Sequence, residues 1–159
     1  MKDKNNTGMI DVGQKEKTHR IAKAQAFVKL GREILKKVKN NEMPKGNVIE
    51  MARTASIFAA KNTPGLIPLC HIIEIEYADT EFTFKPNGIL IESKVSAHAK
   101  TGVEMEALTA CTIAALTIYD MCKMFSKEIE IQDIYLLEKT GGKSGDYVRR
   151  HSERARRAK

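Results

Sequence analysis

The chain has 159 residues, 42% hydrophobic and 30% charged, enough for one compact domain with a real core and too few for a second catalytic domain. Its longest uncharged stretch, residues 107–119, falls far short of the roughly 20 apolar residues that cross a bilayer, and residues 1–15 hold no apolar block suited to a secretory leader, so no membrane partner and a cytoplasmic location are expected. Of the net charge of +7, most lies in residues 149–159 (RRHSERARRAK), six Arg or Lys against one Glu, which reads as a solvated tail and argues against a specific nucleic-acid partner.

In chain order, residues 1–8 are polar and aperiodic, a disordered extension ahead of a domain that starts at Met9. Residues 18–28 place Ala22, Ala24, Ala26 and Val28 on one parity and Lys23 and Gln25 on the other, the pattern of a half-buried strand. Leu30, Ile34, Leu35 and Val38 then recur at helical spacing with lysines facing away. After a break at Asn40–Pro44, Asn47 can cap a second helix running to about Lys61, ended by Thr63-Pro64-Gly65.

From His71 to His98 the texture becomes that of three strands, HIIEIEYA, EFTFK and ILIESKVSA, the last two joined at Pro86-Asn87-Gly88. A long helix follows from Thr101 to about Ser126, with Thr101 and Glu104 spaced as a capping box. Its middle, ALTACTIAALTIY, has no charge on any side and calls for cover nearly all round, which a symmetric partner would supply. A last strand, EIEIQDIYLLEK, ends in the loop TGGKSGDY. This order predicts an α+β fold, a mostly antiparallel sheet with helices packed on one face. The expected division is a disordered extension (1–8), a single catalytic domain (9–147) and a basic C-terminal tail (148–159).

Four segments offer reactive or anion-binding groups at element boundaries. Lys45-Gly46-Asn47 brings a lysine to a helix N-terminus, a setting suited to phosphate as well as to plain capping. In Leu69-Cys70-His71, His71 shares the parity of Ile73, Ile75 and Tyr77 and is expected to face the packed side. Cys70 lacks an activating constellation, and with Cys111 and Cys122 reads as a reduced thiol; no metal site is expected. Glu106 stands at the threshold of the uncharged stretch, where a carboxylate is costly unless paired or functional. Asp120 and Lys123, three residues apart, suit an intrahelical ion pair. Lys139-Thr140-Gly141-Gly142-Lys143-Ser144-Gly145 has Leu137 where a Walker loop needs its first glycine, so it is not a P-loop, although its glycines could admit a polyphosphate.

Fourteen residues separate Glu106 from Asp120, about 40° around a helix but about 21 Å along it. Two such helices packed antiparallel about a two-fold axis would bring Glu106 of one subunit toward Asp120 and Lys123 of the other, giving an intersubunit site.

The segments MIDVG (9–13), KGNV (45–48), LIPLCH (66–71), KTGVEMEALTA (100–110), ALTIYDMCK (115–123) and KTGGKSGDY (139–147) together resemble the MoaC family of cyclic pyranopterin monophosphate synthases, over roughly residues 9–147. The resemblance implies a ferredoxin-like subunit in a hexamer built as a trimer of dimers. It also implies a lyase of molybdenum-cofactor biosynthesis that rearranges a 3',8-cyclised dihydro-GTP into cyclic pyranopterin monophosphate and pyrophosphate. Carried over, the catalytic groups are Asp120, Lys123, Glu106 and His71. Substrate binding falls to Lys45, Leu69, Cys70 and His71, with Glu104, Met105, Glu106 and Lys139. In the implied chemistry these groups move protons at nitrogen and carbon while Lys45 and Lys139 neutralise the polyphosphate. Lys123 is the expected acid or base, its pKa drawn in opposite directions by Asp120 and by burial. No cofactor is implied beyond a magnesium ion that could accompany the triphosphate. Asn47 stands where the family commonly has aspartate and Ile72 where proline often follows the histidine, which bears on local geometry. The rival reading is a ferredoxin-like module holding RNA or another polyanion, but Glu74 and Glu76 stand where its sheet would need exposed aromatics.

Overall fold

A computed structural model of the chain describes residues 7–150. Strand β1 (Thr18–Lys29) carries the alternation that defines the molecule: Ala22, Ala24, Ala26 and Val28 are fully buried, while the intervening residues face the other side of the sheet. Three alanines in a row on that face leave room for a helix to lie close above it. The strand is followed by α1 (Arg32–Lys39), α2 (Val48–Lys61) and a one-turn helix α3 (Thr63–Leu66) built on the Thr-Pro-Gly expected to be only a stop. As expected, Asn47 caps α2, its side chain accepting from the Glu50 N–H at 3.0 Å.

Strands β2 (Tyr77–Lys85) and β3 (Gly88–Ala99) form a hairpin, α4 (Glu104–Cys122) crosses back, and β4 (Glu130–Thr140) with the short β5 (Tyr147–Val148) completes the sheet. The sheet order is β2-β3-β1-β4-β5 with every neighbour antiparallel. The first four strands with their crossovers form the βαββαβ arrangement of a ferredoxin-like fold. Val148 pairs with Glu138, so the sheet extends one residue past the expected domain boundary. The rest of the expected tail from residue 151, and residues 1–6 of the extension, lie outside the described residues.

Three expectations need correction. Residues 71–76 are not a strand: His71, Ile73 and Ile75 are half-buried and their neighbours exposed, but of their backbone groups only the Glu76 N–H bonds β3, at the Ser96 carbonyl, 3.2 Å. One-sided burial produces the same alternation as a ladder does, so three expected strands become two. The parity also slips at the start of β2, leaving Tyr77 exposed, out of line with His71. The Thr101–Glu104 capping box is absent: α4 begins after Val103 with no side-chain cap, and Glu104 instead accepts from Lys139 at 2.8 Å. An ion pair across the fold here replaces a local cap.

Helix α4 has 19 residues and is apolar enough, by length and composition, to cross a membrane, but half of it is buried inside this fold. It packs on β1, β3 and β4 and against α2 through Ala107, Ala110, Ala114, Ala115 and Ile118. A single chain therefore covers more of it than its charge-free middle suggests, leaving Met105 and Leu116 as its exposed apolar residues.

Candidate active site

The candidate site residues of α4 lie at its two opposite ends. At the N-terminal end Glu106 is 2% exposed and its Oε2 has no hydrogen-bond partner. Burial, with the neighbouring charge of Glu104 adding to it, pushes its pKa up to about 7, so near neutrality the carboxyl can both give and take a proton. Glu106 lines a cavity of about 520 Å³ together with Leu69, Cys70, His71, Glu104 and Met105. Six positions expected from sequence to bind substrate thus meet around one space. The Cys70 thiol is raised, first by burial and then by the charge of Glu106, so it is a poor nucleophile. Cys70, Cys111 and Cys122 are all free, the last two buried. His71 does not point into the core as its expected strand parity required; its Nε2 lies 2.7 Å from the Ile10 carbonyl oxygen.

Glu104 faces the other way and pairs with Lys139 of β4 at 2.8 Å, both side chains about two-thirds buried. The pair borders a second cavity of about 590 Å³ that is lined by Lys15, Arg20, Lys100, Lys139 and Lys143 and is large enough for a polyphosphate. The glycine loop borders this cavity by close approach: Gly141 has φ 89°, and a Cβ there would overlap the His19 carbonyl. A Cβ on Gly142 would come 2.7 Å from the Arg20 guanidinium. Arg20 and Lys15 were missed from sequence. A signal existed for Arg20, which shares the buried parity of Ala22 to Val28 and so puts a charge at the end of the core-facing stripe. Ile10 and Val12, in the segment Met9–Gly13 that carries part of the family likeness, also line the Glu106 cavity.

At the C-terminal end, Asp120 accepts from Lys123 at 2.8 Å and from Lys45 at 2.7 Å, and the Lys45 ammonium also reaches the Asp120 carbonyl at 3.0 Å. Hydrogen bonds from Lys123 and then Lys45 hold Asp120 down at about 2. Lys123 is raised by the same contact, which outweighs the opposing effect of burial. The expected balance on Lys123 therefore tips one way, toward the charged ammonium paired with Asp120. Both lysines expected to neutralise polyphosphate, Lys45 and Lys139, already have carboxylate partners, so an anion would enter by displacing or joining those pairs. In one chain the two ends of α4 do not meet: Glu106 and Asp120 are separated by about 21 Å of helix.

Fold and site together define a small ferredoxin-like α+β protein in which a buried acid–base group adjoins a lysine-lined cavity. The chain matches the model of the MoaC family over residues 9–142. It is 48% identical over 141 residues to cyclic pyranopterin monophosphate synthase of Peptoclostridium acidaminophilum, covering 89% of this chain and 90% of the relative. It is 48% identical over 149 residues to the synthase of the same name from Heliobacterium modesticaldum, covering 92% and 94%. A third, from Chloroflexus aurantiacus, is 49% identical over 143 residues, covering 89% and 88%. The chain belongs to the MoaC family.

Proposed function

We infer that this chain is an enzyme of molybdenum-cofactor biosynthesis that converts the 3',8-cyclised dihydro-GTP into cyclic pyranopterin monophosphate with loss of pyrophosphate, a lyase reaction without redox change. The observation that carries the reading is the buried, unpartnered Glu106 carboxylate opening on a cavity beside a basic one, in a chain that aligns nearly end to end with synthases of that name. Residues 9–147 serve as the catalytic unit, in the cytoplasm.

The geometry supports a division of labour. The Glu106 cavity takes the base, where Glu106, with a pKa near 7, and His71 exchange ring protons. The Arg20, Lys139 and Lys143 side takes the phosphates and favours the leaving pyrophosphate. Lys123, held charged by Asp120, delivers a proton. For Lys123 to reach the same nucleotide, a second copy must bring its Asp120 end to this cavity; exposed Met105 and Leu116 on α4 favour such a two-fold contact, and three dimers would complete a hexamer. A magnesium ion would enter as part of the triphosphate substrate.

The test is incubation of the purified protein with the cyclised intermediate, following pyrophosphate and the pterin product. Mixed oligomers of Glu106→Ala and Lys123→Ala chains should recover turnover that neither homogeneous variant has; no recovery rejects the shared site. Normal turnover by Lys123→Ala rejects its role as proton donor.

A further inference from the structure

The segment Met9–Lys15 has no regular secondary structure, and Ile10 is 74% exposed, yet it crosses the mouth of the Glu106 cavity. Within itself it is turned by two short bonds, Gly13 N–H to Asp11 Oδ1 at 2.8 Å and Lys15 N–H to the Val12 carbonyl at 3.0 Å. Among the described residues, two side chains tie it to the body of the protein by hydrogen bonds. His71 Nε2 meets the Ile10 carbonyl at 2.7 Å, and the Lys100 ammonium donates to the Gly13 carbonyl at 2.7 Å.

A carbonyl oxygen can only accept, so the short contact to Ile10 requires a proton on His71 Nε2. In the neutral ring the lone pair then resides on Nδ1, and that nitrogen is the base. Rotation of the imidazole is restrained by the same bond. Lys100 directly follows β3, in the junction between β3 and α4, and from there anchors the far end of the segment through the Gly13 carbonyl. Without that anchor, one exposed hydrogen bond at Ile10 has to hold a segment whose residues are mostly exposed.

We propose that Met9–Lys15 is a strap whose Ile10 carbonyl fixes His71 in the Nε2–H tautomer, and that Lys100 is the positioning residue that keeps the strap in place. The inference rests on the reading above in giving His71 a proton to carry. Lys100 borders the basic cavity, but its ammonium is engaged by the Gly13 carbonyl, so it acts through the strap and not on the reacting atoms.

The tautomer is measured directly from nitrogen chemical shifts of the imidazoles in the full chain, with His71 assigned by its loss in His71→Gln. The unaltered chain should show His71 as Nε2–H; Lys100→Met should give a mixture of tautomers with the thermal midpoint nearly unchanged, and Lys100→Arg should restore the single form. With the cyclised GTP intermediate, Lys100→Met should lower kcat by about tenfold, a fraction of what a positioned acid–base group supplies. A chain starting at Gln14 behind an initiating Met should lose as much, and the two changes combined should lose no more than either alone. An Nδ1–H form in the unaltered chain, or a Lys100→Met spectrum identical to it, overturns the proposal. So do losses that multiply, because Lys100 would then act on the nucleotide by itself. No turnover by the unaltered chain, with the Nε2–H form present and lost in Lys100→Met, would reject the functional reading and leave the strap standing.

Discussion

Replacing Glu106 by Gln separates the cost of burying a carboxylate from everything else in the fold. In the unfolded chain Glu106 titrates near its ordinary 4.5, and in the folded one near 7. Between those values the folded state binds the extra proton, so stability falls as pH rises, by a total of roughly 3 kcal/mol at about 1.4 kcal/mol per unit. The loss is complete above about pH 7 and absent below about pH 4.5. Glu106→Gln cannot ionise and has no such slope. Urea unfolding followed by circular dichroism at one protein concentration, from pH 5 to 8, gives both curves. Relative to the unaltered chain, the variant should gain roughly 2–3 kcal/mol between pH 5 and pH 8 while losing turnover. Taking the difference cancels histidines common to both proteins, and Asp120, at about 2, titrates far below the window. A difference that stays constant within about 0.5 kcal/mol over that range would show that Glu106 is solvated or paired, and would refute the reasoning.

Asp120→Asn should abolish turnover with little change in thermal midpoint, because its two ion pairs are exposed and exposed pairs add little to stability; a large fall in the midpoint would make the cluster structural. Lys139→Met leaves Glu104 unpaired in a largely buried setting and should cost about 1–2 kcal/mol in urea while raising KM; unchanged KM would remove Lys139 from the polyphosphate site. Gly141→Ala combines a positive φ of 89° with overlap on the His19 carbonyl, whereas Gly145→Ala, φ 81°, meets open space. The first should lose more than about 2 kcal/mol and the second about 1, and equal losses would show that the loop does not lie against β1. In thiol alkylation at pH 8, Cys70 should react slowly and Cys111 and Cys122, buried and pushed up to about 11, should not react until unfolding.

Much of the architecture was legible because burial on one side imposes a period. The alanine parity of β1, the Leu30–Val38 stripe and the Asn47 cap all appear as read, since each is a local pattern with one dominant cause. The same logic misread residues 71–76, where alternation records a chain half-laid on the core without a strand to pair with. The capping box failed for a related reason. Thr101 and Glu104 have the right spacing, but a lysine 35 residues away in sequence takes the carboxylate, and that competitor has no signature near Glu104.

The candidate site divides along the same line. Sequence alone determined which residue types are present and that Glu106 enters an uncharged stretch, since composition and helical spacing are properties of the chain itself. It also determined the separation of Glu106 from Asp120 along one helix, because the rise per residue is set by backbone geometry. Only the tertiary structure decided that Cys70, His71 and Glu106 share a cavity, that Lys45 joins Asp120 from 75 residues away, and that Arg20 stands against Gly142. Those pairings depend on which strands become neighbours, and strand order arises from the packing of the whole core, which no short segment contains.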